Sequence, residues 1–207
     1  MDTGPAKVRR VRFNDVPAPV DPIRIVAGIG GILFPILQVL ALRYVGFLRP
    51  SETDGIAGVI FMIAYALLLP MVYVLYQELA AISRPLGAAV SVAGLGAPLA
   101  VAAGVTGVFN LTVVTIVIAT FLSLWIGLTG ALAFWRRILP VPWALFSAAI
   151  GLFALVIAIV GVFAGSNSTS SATAATLGII CILAVAIWTV WTGIMFLLRA
   201  RMAPTGT

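Results

Sequence analysis

The sequence LTVVTIVIATFLSLWIGLTGALAFWRR, residues 111–137, has the features of one membrane-spanning helix. Its first 24 residues carry no charge, and an aromatic residue and two cations, Trp135, Arg136 and Arg137, follow at once. A helix of about 20 apolar residues crosses the hydrocarbon core of a bilayer, and Trp and Arg are frequent where such helices leave it. We therefore predict a transmembrane helix over residues 111–134.

Five further apolar runs of similar length flank this one. The chain is 62% apolar and only 9% charged, whereas soluble domains have about 45–50% and about 25%. We predict an all-α polytopic membrane protein: a six-helix transmembrane domain, residues 24–198, between an N-terminal tail, residues 1–23, and a C-terminal tail, residues 199–207. The predicted spans are residues 25–43, 56–76, 86–108, 111–134, 143–164 and 174–198.

The weakest predicted boundary is Phe109-Asn110, which we keep as a turn. Without it, the third and fourth spans would form one helix of about 49 residues, a length that fits no bilayer. The polar segments Arg49–Gly55 and Gly165–Ser171 are predicted to lie between spans.

Lysine and arginine predict the orientation, because cytoplasmic flanks are enriched in them. With the N-terminus inside, the outer segments hold only Arg43 and Arg49. The inner segments hold ten cations: Lys7, Arg9, Arg10, Arg12, Arg24, Arg84, Arg136, Arg137, Arg199 and Arg201. We therefore predict that both termini are cytoplasmic. The abundance of Arg, Ala, Gly and Val is typical of a GC-rich genome, so we expect a bacterial inner (plasma) membrane.

Aromatic residues near the span ends are expected to lie at the headgroup level. Trp135 and Trp143 flank the predicted inner turn at Arg136-Arg137. The remaining members of this predicted belt are Tyr73, Tyr76 and Trp191 on the inner side and Tyr44 and Phe47 on the outer side.

The composition argues against catalysis. There is no histidine, Cys181 is the single cysteine, and no Asp, Glu or Lys lies near the centre of a predicted span. Metal, haem and nucleophilic sites depend on such side chains, so we expect no enzyme activity, no cofactor and no metal. The net charge of +6 comes from cations scattered at the ends of apolar runs, so we expect no nucleic-acid partner.

Two polar residues in the first span are candidate site residues. Gln38 is the only carboxamide within a predicted span, and we favour a hydrogen bond to a neighbouring helix over a polar contact in a ligand cavity. Arg43 lies near the outer boundary, where its side chain can extend towards the headgroups. The alternative is that Arg43 and Arg49 hold an anionic lipid or substrate at the outer face.

Prolines and small residues predict bends and close packing in the first three spans. Pro35, Pro70 and Pro98 each remove a backbone hydrogen bond and are expected to kink their helices, which could also form a cavity or a hinge. Gly96, Ala100 and Gly104 recur every four residues in the third span. Such rows allow helices to approach closely, so we expect the third span to be central in the bundle, or alternatively to join two copies of the chain.

The segment Trp125–Pro140 carries a resemblance to known proteins. A glycine-containing span ends there in a short basic turn with Leu139-Pro140 before the next span. In this respect the region from Ile25 to Leu198 resembles small bacterial integral membrane proteins of about six spans, which form families of unknown function. The resemblance implies the architecture and no activity or site residue.

We expect a non-catalytic accessory or regulatory protein that acts through helix–helix contacts. Its expected partners are the lipid bilayer and either further copies of the chain or another membrane protein. The alternative is a passive or weakly coupled pathway for a neutral or lipophilic solute between the first three spans. The basic segment Lys7–Phe13 is expected to be a disordered topological anchor, or alternatively to lie on an anionic inner leaflet.

Overall fold

A computed structural model describes residues 21–47, 50–106, 111–164 and 168–200. Six helical spans in this part of the chain are long and apolar enough to cross a membrane, which confirms the predicted all-α bundle. Most of the predicted N-terminal tail, the Phe109-Asn110 turn and residues 201–207 lie outside the described residues. The helices are α1 (Pro22–Phe47), α2 (Pro50–Ala66), α3 (Leu69–Ala80), α4 (Arg84–Val105), α5 (Leu111–Arg136), α6 (Val141–Ala164) and α7 (Ser168–Ala200).

The six spans form a ring in which each packs against the spans that precede and follow it in sequence. α1 packs against α2 and α3 on one side and against α7 on the other, so the last span closes the ring onto the first. α4 packs mainly against α5 and the α2–α3 span. The prediction that the third span is central is therefore wrong. Short connections make consecutive helices neighbours, whatever small residues they carry.

The second span consists of two helices, α2 and α3, with a break at Leu67-Leu68. The Leu68 amide bonds to the Tyr65 carbonyl three residues back, and helical bonding resumes where the Val72 amide donates to the Leu68 carbonyl at 2.9 Å. Pro70 is the second residue of α3 and has no amide to donate to Ala66. The Leu67 carbonyl oxygen lies against Gly30 of α1, where a Cβ atom would collide with it.

Two helices begin six residues before their predicted spans. α2 starts at Pro50 and α7 at Ser168, so most of the segments Arg49–Gly55 and Gly165–Ser171 are helical rather than loops. The sequence near Pro50 indicates a helix start, because proline is frequent at the first helical position and acidic residues are favourable in the first turn. Hydropathy marks where the bilayer ends, and a helix can continue beyond that point.

The centre of the ring is filled by large side chains. Trp125, Trp143, Trp188 and Phe34 are all completely buried. The outward faces carry exposed aliphatic residues, such as Leu99 on α4 and Leu152 on α6. Lipid chains solvate such a surface, so the apolar exterior and the filled interior are both compatible with a bilayer.

Glycines set the closest helix crossings. On α5 and α6, Gly127 and Gly151 bring the two backbones into direct contact. On α1 and α7, a Cβ at Gly31 would lie 2.7 Å from the Thr189 carbonyl oxygen, and one at Gly193 would lie 2.6 Å from the Gly28 carbonyl oxygen. Close backbone approach of this kind is how helices gain packing contacts in lipid.

Candidate functional site

Among the described side chains, the charged ones lie at one end of the bundle, where α1, α4 and α6 begin and α3, α5 and α7 end. Glu78 on α3 is the centre of an ion cluster there. Its Oε1 accepts a hydrogen bond from Arg24 of α1 at 2.9 Å and lies 3.9 Å from Arg199 of α7. Asp21 caps α1 by accepting from the Ile23 amide and also lies 3.3 Å from the Arg24 side chain. Three helices are thus joined at this end.

Gln38 lies in the interior between α1 and α2. Its side-chain amide donates to the Tyr65 hydroxyl at 3.3 Å, and both residues are buried. The Tyr65 ring packs edge-on against Phe34 of α1. Gln38 Oε1 has no hydrogen-bond partner among the described residues, so the carboxamide uses one of its two polar ends.

A reciprocal hydrogen-bond network joins α6 and α7 through two tryptophans and two hydroxyls. Trp143 donates its indole N–H to Thr192 at 2.9 Å, and Trp188 donates to Ser147 at 2.6 Å. Each hydroxyl in turn donates to a carbonyl of its own helix, Ser147 to Trp143 and Thr192 to Trp188. All four side chains are completely buried.

Trp125 extends the aromatic cluster to α5 without completing the same pattern. Its ring packs edge-on against Trp188 at 5.4 Å, and Thr129 donates to its carbonyl. The Trp125 indole N–H is buried without a hydrogen-bond partner in the described part of the chain. It lies beside Gly94 of α4, where a Cβ would be 2.9 Å from Nε1, and close to Val72 of α3.

An open apolar groove runs along the outside of the ring between α1 and α7. Its volume is about 500 Å³, and Gln38 does not line it. The groove is lined by Pro35, Ala186, Ile187, Val190, Trp191 and Ile194.

The three predicted packing residues of the third span are buried to different degrees. Gly96 is buried against the Phe121 ring of α5, where a Cβ would collide with the ring. Ala100 is buried and Gly104 half-buried. The contact that Gly96 makes lies within the chain.

The three predicted kink residues behave differently. α1 continues through Pro35 and α4 through Pro98, whereas the second span is interrupted at Leu67-Leu68, shortly before Pro70. Two other candidate groups lie outside the described part of the chain: the side chain of Arg43 and the whole of Arg49.

The predicted belt residues differ in exposure. Trp143 is completely buried within the bundle, where its indole N–H donates to Thr192. Trp135 is 68% exposed, and Tyr73 is also exposed.

Sequence reasoning overlooked several residues for which a signal existed. Glu78 is the last acidic residue of the chain, and Ser147 is the only hydroxyl within residues 143–164. A hydroxyl also follows a tryptophan by four residues in three spans, at Trp125–Thr129, Trp143–Ser147 and Trp188–Thr192. No comparable signal distinguished Tyr65.

The interior groups described here are neutral hydrogen-bonding side chains. Within residues 21–47, 50–106, 111–164 and 168–200, no three His, Cys, Asp or Glu side chains come together as a metal site would require. The arrangement can hold helices in register and can exchange hydrogen bonds with a neutral group.

The chain matches no protein-family model, no curated protein and no solved structure.

Proposed function

We propose that this chain is a non-catalytic membrane protein, an accessory or regulatory bundle that acts through helix–helix contacts. The observation that carries the proposal is the filled interior of the ring, where two tryptophan N–H groups are paired with hydroxyls of a neighbouring span. Gln38 is bonded to Tyr65 across a helix interface in the same way. A bundle whose interior is committed to its own packing presents its outer, lipid-facing surface to partners.

Photo-crosslinking along the outer faces tests this proposal. A photoreactive residue would replace one exposed side chain on each of four spans: Val39, Leu99, Leu152 and Leu183. We expect one face to give a discrete adduct with another membrane protein or a second copy in native membranes, and the other faces to give only lipid adducts. The purified chain in lipid vesicles is the control that identifies a self-adduct. Lipid adducts alone from all four positions would contradict an accessory function.

We also propose that both termini lie in the cytoplasm of a bacterial cell. The described arginines at the ion-cluster end of the bundle support this orientation, because positive residues concentrate on the cytoplasmic side. Reporter fusions at Ser168 and at the C-terminus test it. We expect an extracytoplasmic signal at Ser168 and a cytoplasmic one at the C-terminus, and the reverse pattern would overturn the orientation.

A second candidate function is a passive or weakly coupled pathway for a neutral solute. Two buried polar atoms favour it. Gln38 Oε1 and Trp125 Nε1 have no hydrogen-bond partner among the described residues. Both lie beside the broken second span, Gln38 against Tyr65 of α2 and Trp125 near Val72 of α3. An unpaired buried polar group costs about 1–3 kcal/mol, and a solute with a hydroxyl or an amide would remove that cost.

Solute flux into reconstituted vesicles separates the two candidates. The variant Gln38→Leu removes the interior carboxamide, and Gln77→Leu is the matched control because Gln77 is exposed at the end of α3. The accessory function predicts flux equal to that of protein-free vesicles for every chain. Flux that the parent and Gln77→Leu support and Gln38→Leu does not would establish the pathway instead.

A further inference from the structure

Three arginines and a tryptophan lie exposed where two neighbouring helices, α4 and α5, reach the ion-cluster end of the bundle, and we call them the basic corner. Its members are Trp135, Arg136 and Arg137, where α5 ends, and Arg84, where the neighbouring helix α4 begins. All four are exposed, Trp135 by 68%. The Arg136 guanidinium lies 4.3 Å from the centre of the Trp135 ring, a cation–π geometry.

The basic corner differs in charge from the opposite side of the ring. There, Arg24 and Arg199 are balanced by Asp21 and Glu78. Within the described side chains, Arg84, Arg136 and Arg137 take part in no ion pair, and the sequence contains no acidic residue after Glu78. Among the described side chains, one side of this bundle end is therefore close to neutral, and the other carries three positive charges without an acidic partner.

The backbone of the basic corner is strained at Arg137. Arg137 has φ of 53°, the left-handed region that usually takes glycine. The turn closes with the Ile138 amide bonded to the Ala133 carbonyl and the Arg137 amide bonded to the Phe134 carbonyl. Glycine would satisfy this turn without a Cβ penalty, so the arginine adds charge at a position where its backbone is disfavoured.

The surroundings of the corner indicate an amphiphilic anion. Two exposed apolar side chains are close to the arginines in sequence: the aromatic Phe134, two residues before Arg136, and the aliphatic Val141, the first residue of α6. An exposed Trp suits the headgroup level, and Arg binds phosphate oxygens through paired hydrogen bonds. A ligand that fits both parts has a phosphate attached to hydrocarbon. We propose that the basic corner binds the headgroup of an anionic phospholipid.

Quenching of Trp135 by lipids with brominated acyl chains tests the proposal. The full chain is reconstituted with brominated phosphatidylglycerol or with brominated phosphatidylcholine at the same mole fraction, and the Trp135 signal is obtained by difference from Trp135→Phe. We expect phosphatidylglycerol to quench Trp135 more strongly. Because each juxtamembrane cation contributes about 1 kcal/mol, Arg136→Gln should lower the preference about fivefold.

Matched variants test whether the basic corner causes the preference for phosphatidylglycerol. Arg136→Gln with Arg137→Gln is expected to abolish it, whereas Arg199→Gln, on the balanced side, is expected to leave it unchanged. If the double variant does not fold, Arg84→Gln takes its place, with the decrease of about fivefold expected for the loss of one cation. Equal quenching by both lipids, or a preference that survives these corner variants, would overturn the proposal. Displacement of the lipid by soluble tripolyphosphate at equal phosphate concentration would also overturn it, because the corner would then be a general anion site.

Discussion

Trp188 of α7 donates its indole N–H to Ser147 of α6 at 2.6 Å, and Trp143 of α6 donates in return to Thr192 of α7 at 2.9 Å. The two helices are thus joined by a pair of hydrogen bonds that run in opposite directions. The acceptor hydroxyls also donate to their own backbones, so each is used twice. No bulk water reaches the interior of a bilayer to replace either bond.

Ser147→Ala should destabilise the bundle by about 1–2 kcal/mol, because it leaves the Trp188 N–H buried without an acceptor. The free energy of unfolding, measured by titration with a denaturing detergent in mixed micelles, checks this value. Thr120→Ala is the control, since among the described residues the Thr120 hydroxyl bonds only to the Ile116 carbonyl of its own helix. Equal losses for the two variants would mean that the interhelical bond contributes nothing.

Gly151→Ala should destabilise the crossing of α5 and α6 by about 1–3 kcal/mol, and Gly127→Ala should be tolerated. The two glycines face each other, yet a Cβ on Gly151 would collide with the Gly127 backbone, whereas one on Gly127 has its nearest neighbour 3.4 Å away at Gly151. The same detergent titration compares them. A larger loss for Gly127→Ala would contradict the geometry of this crossing.

Glu78→Gln should lower stability by about 1 kcal/mol, because the Arg24 and Arg199 side chains lose their shared carboxylate and all three residues are partly exposed. The difference from the parent should narrow in high salt, which screens exposed charges. Unfolding titrations at low and high ionic strength test both statements. A loss that is independent of salt would indicate that Glu78 acts through packing alone.

Arg137→Gly should be more stable than Arg137→Ala by about 1 kcal/mol, because only glycine adopts a positive φ without a steric penalty. Both variants remove the same charge, so the difference between their stabilities reports the backbone conformation at residue 137. Their relative unfolding midpoints provide the measurement. Alanine equal to glycine would show that the turn after α5 does not hold residue 137 in the left-handed region.

Span number and approximate position follow from sequence alone, since length and hydropathy are properties of consecutive residues. The fourth span, predicted over residues 111–134, is observed as Leu111–Arg136. The polar first turns of α2 and α7, from Pro50 and Ser168, were missed because hydropathy finds apolar segments and not helix ends. The position of the break before Pro70 was indicated by the proline, but Pro35 and Pro98 show that proline alone does not interrupt a helix.

Only the folded chain shows which residues pair across helices. Ser147 and Trp188 are 41 residues apart, and Arg24 and Glu78 are 54 apart, so no local pattern pairs them. Trp143 illustrates the reason: its position beside a basic turn predicts a place near the headgroups, but it does not show that the side chain faces α7, where the indole N–H donates to Thr192. The apolar character of a segment decides that it enters the bilayer, because transfer from water depends on composition. Which face of each helix turns inward depends on how neighbouring surfaces fit together, because lipid solvates any apolar face about equally well.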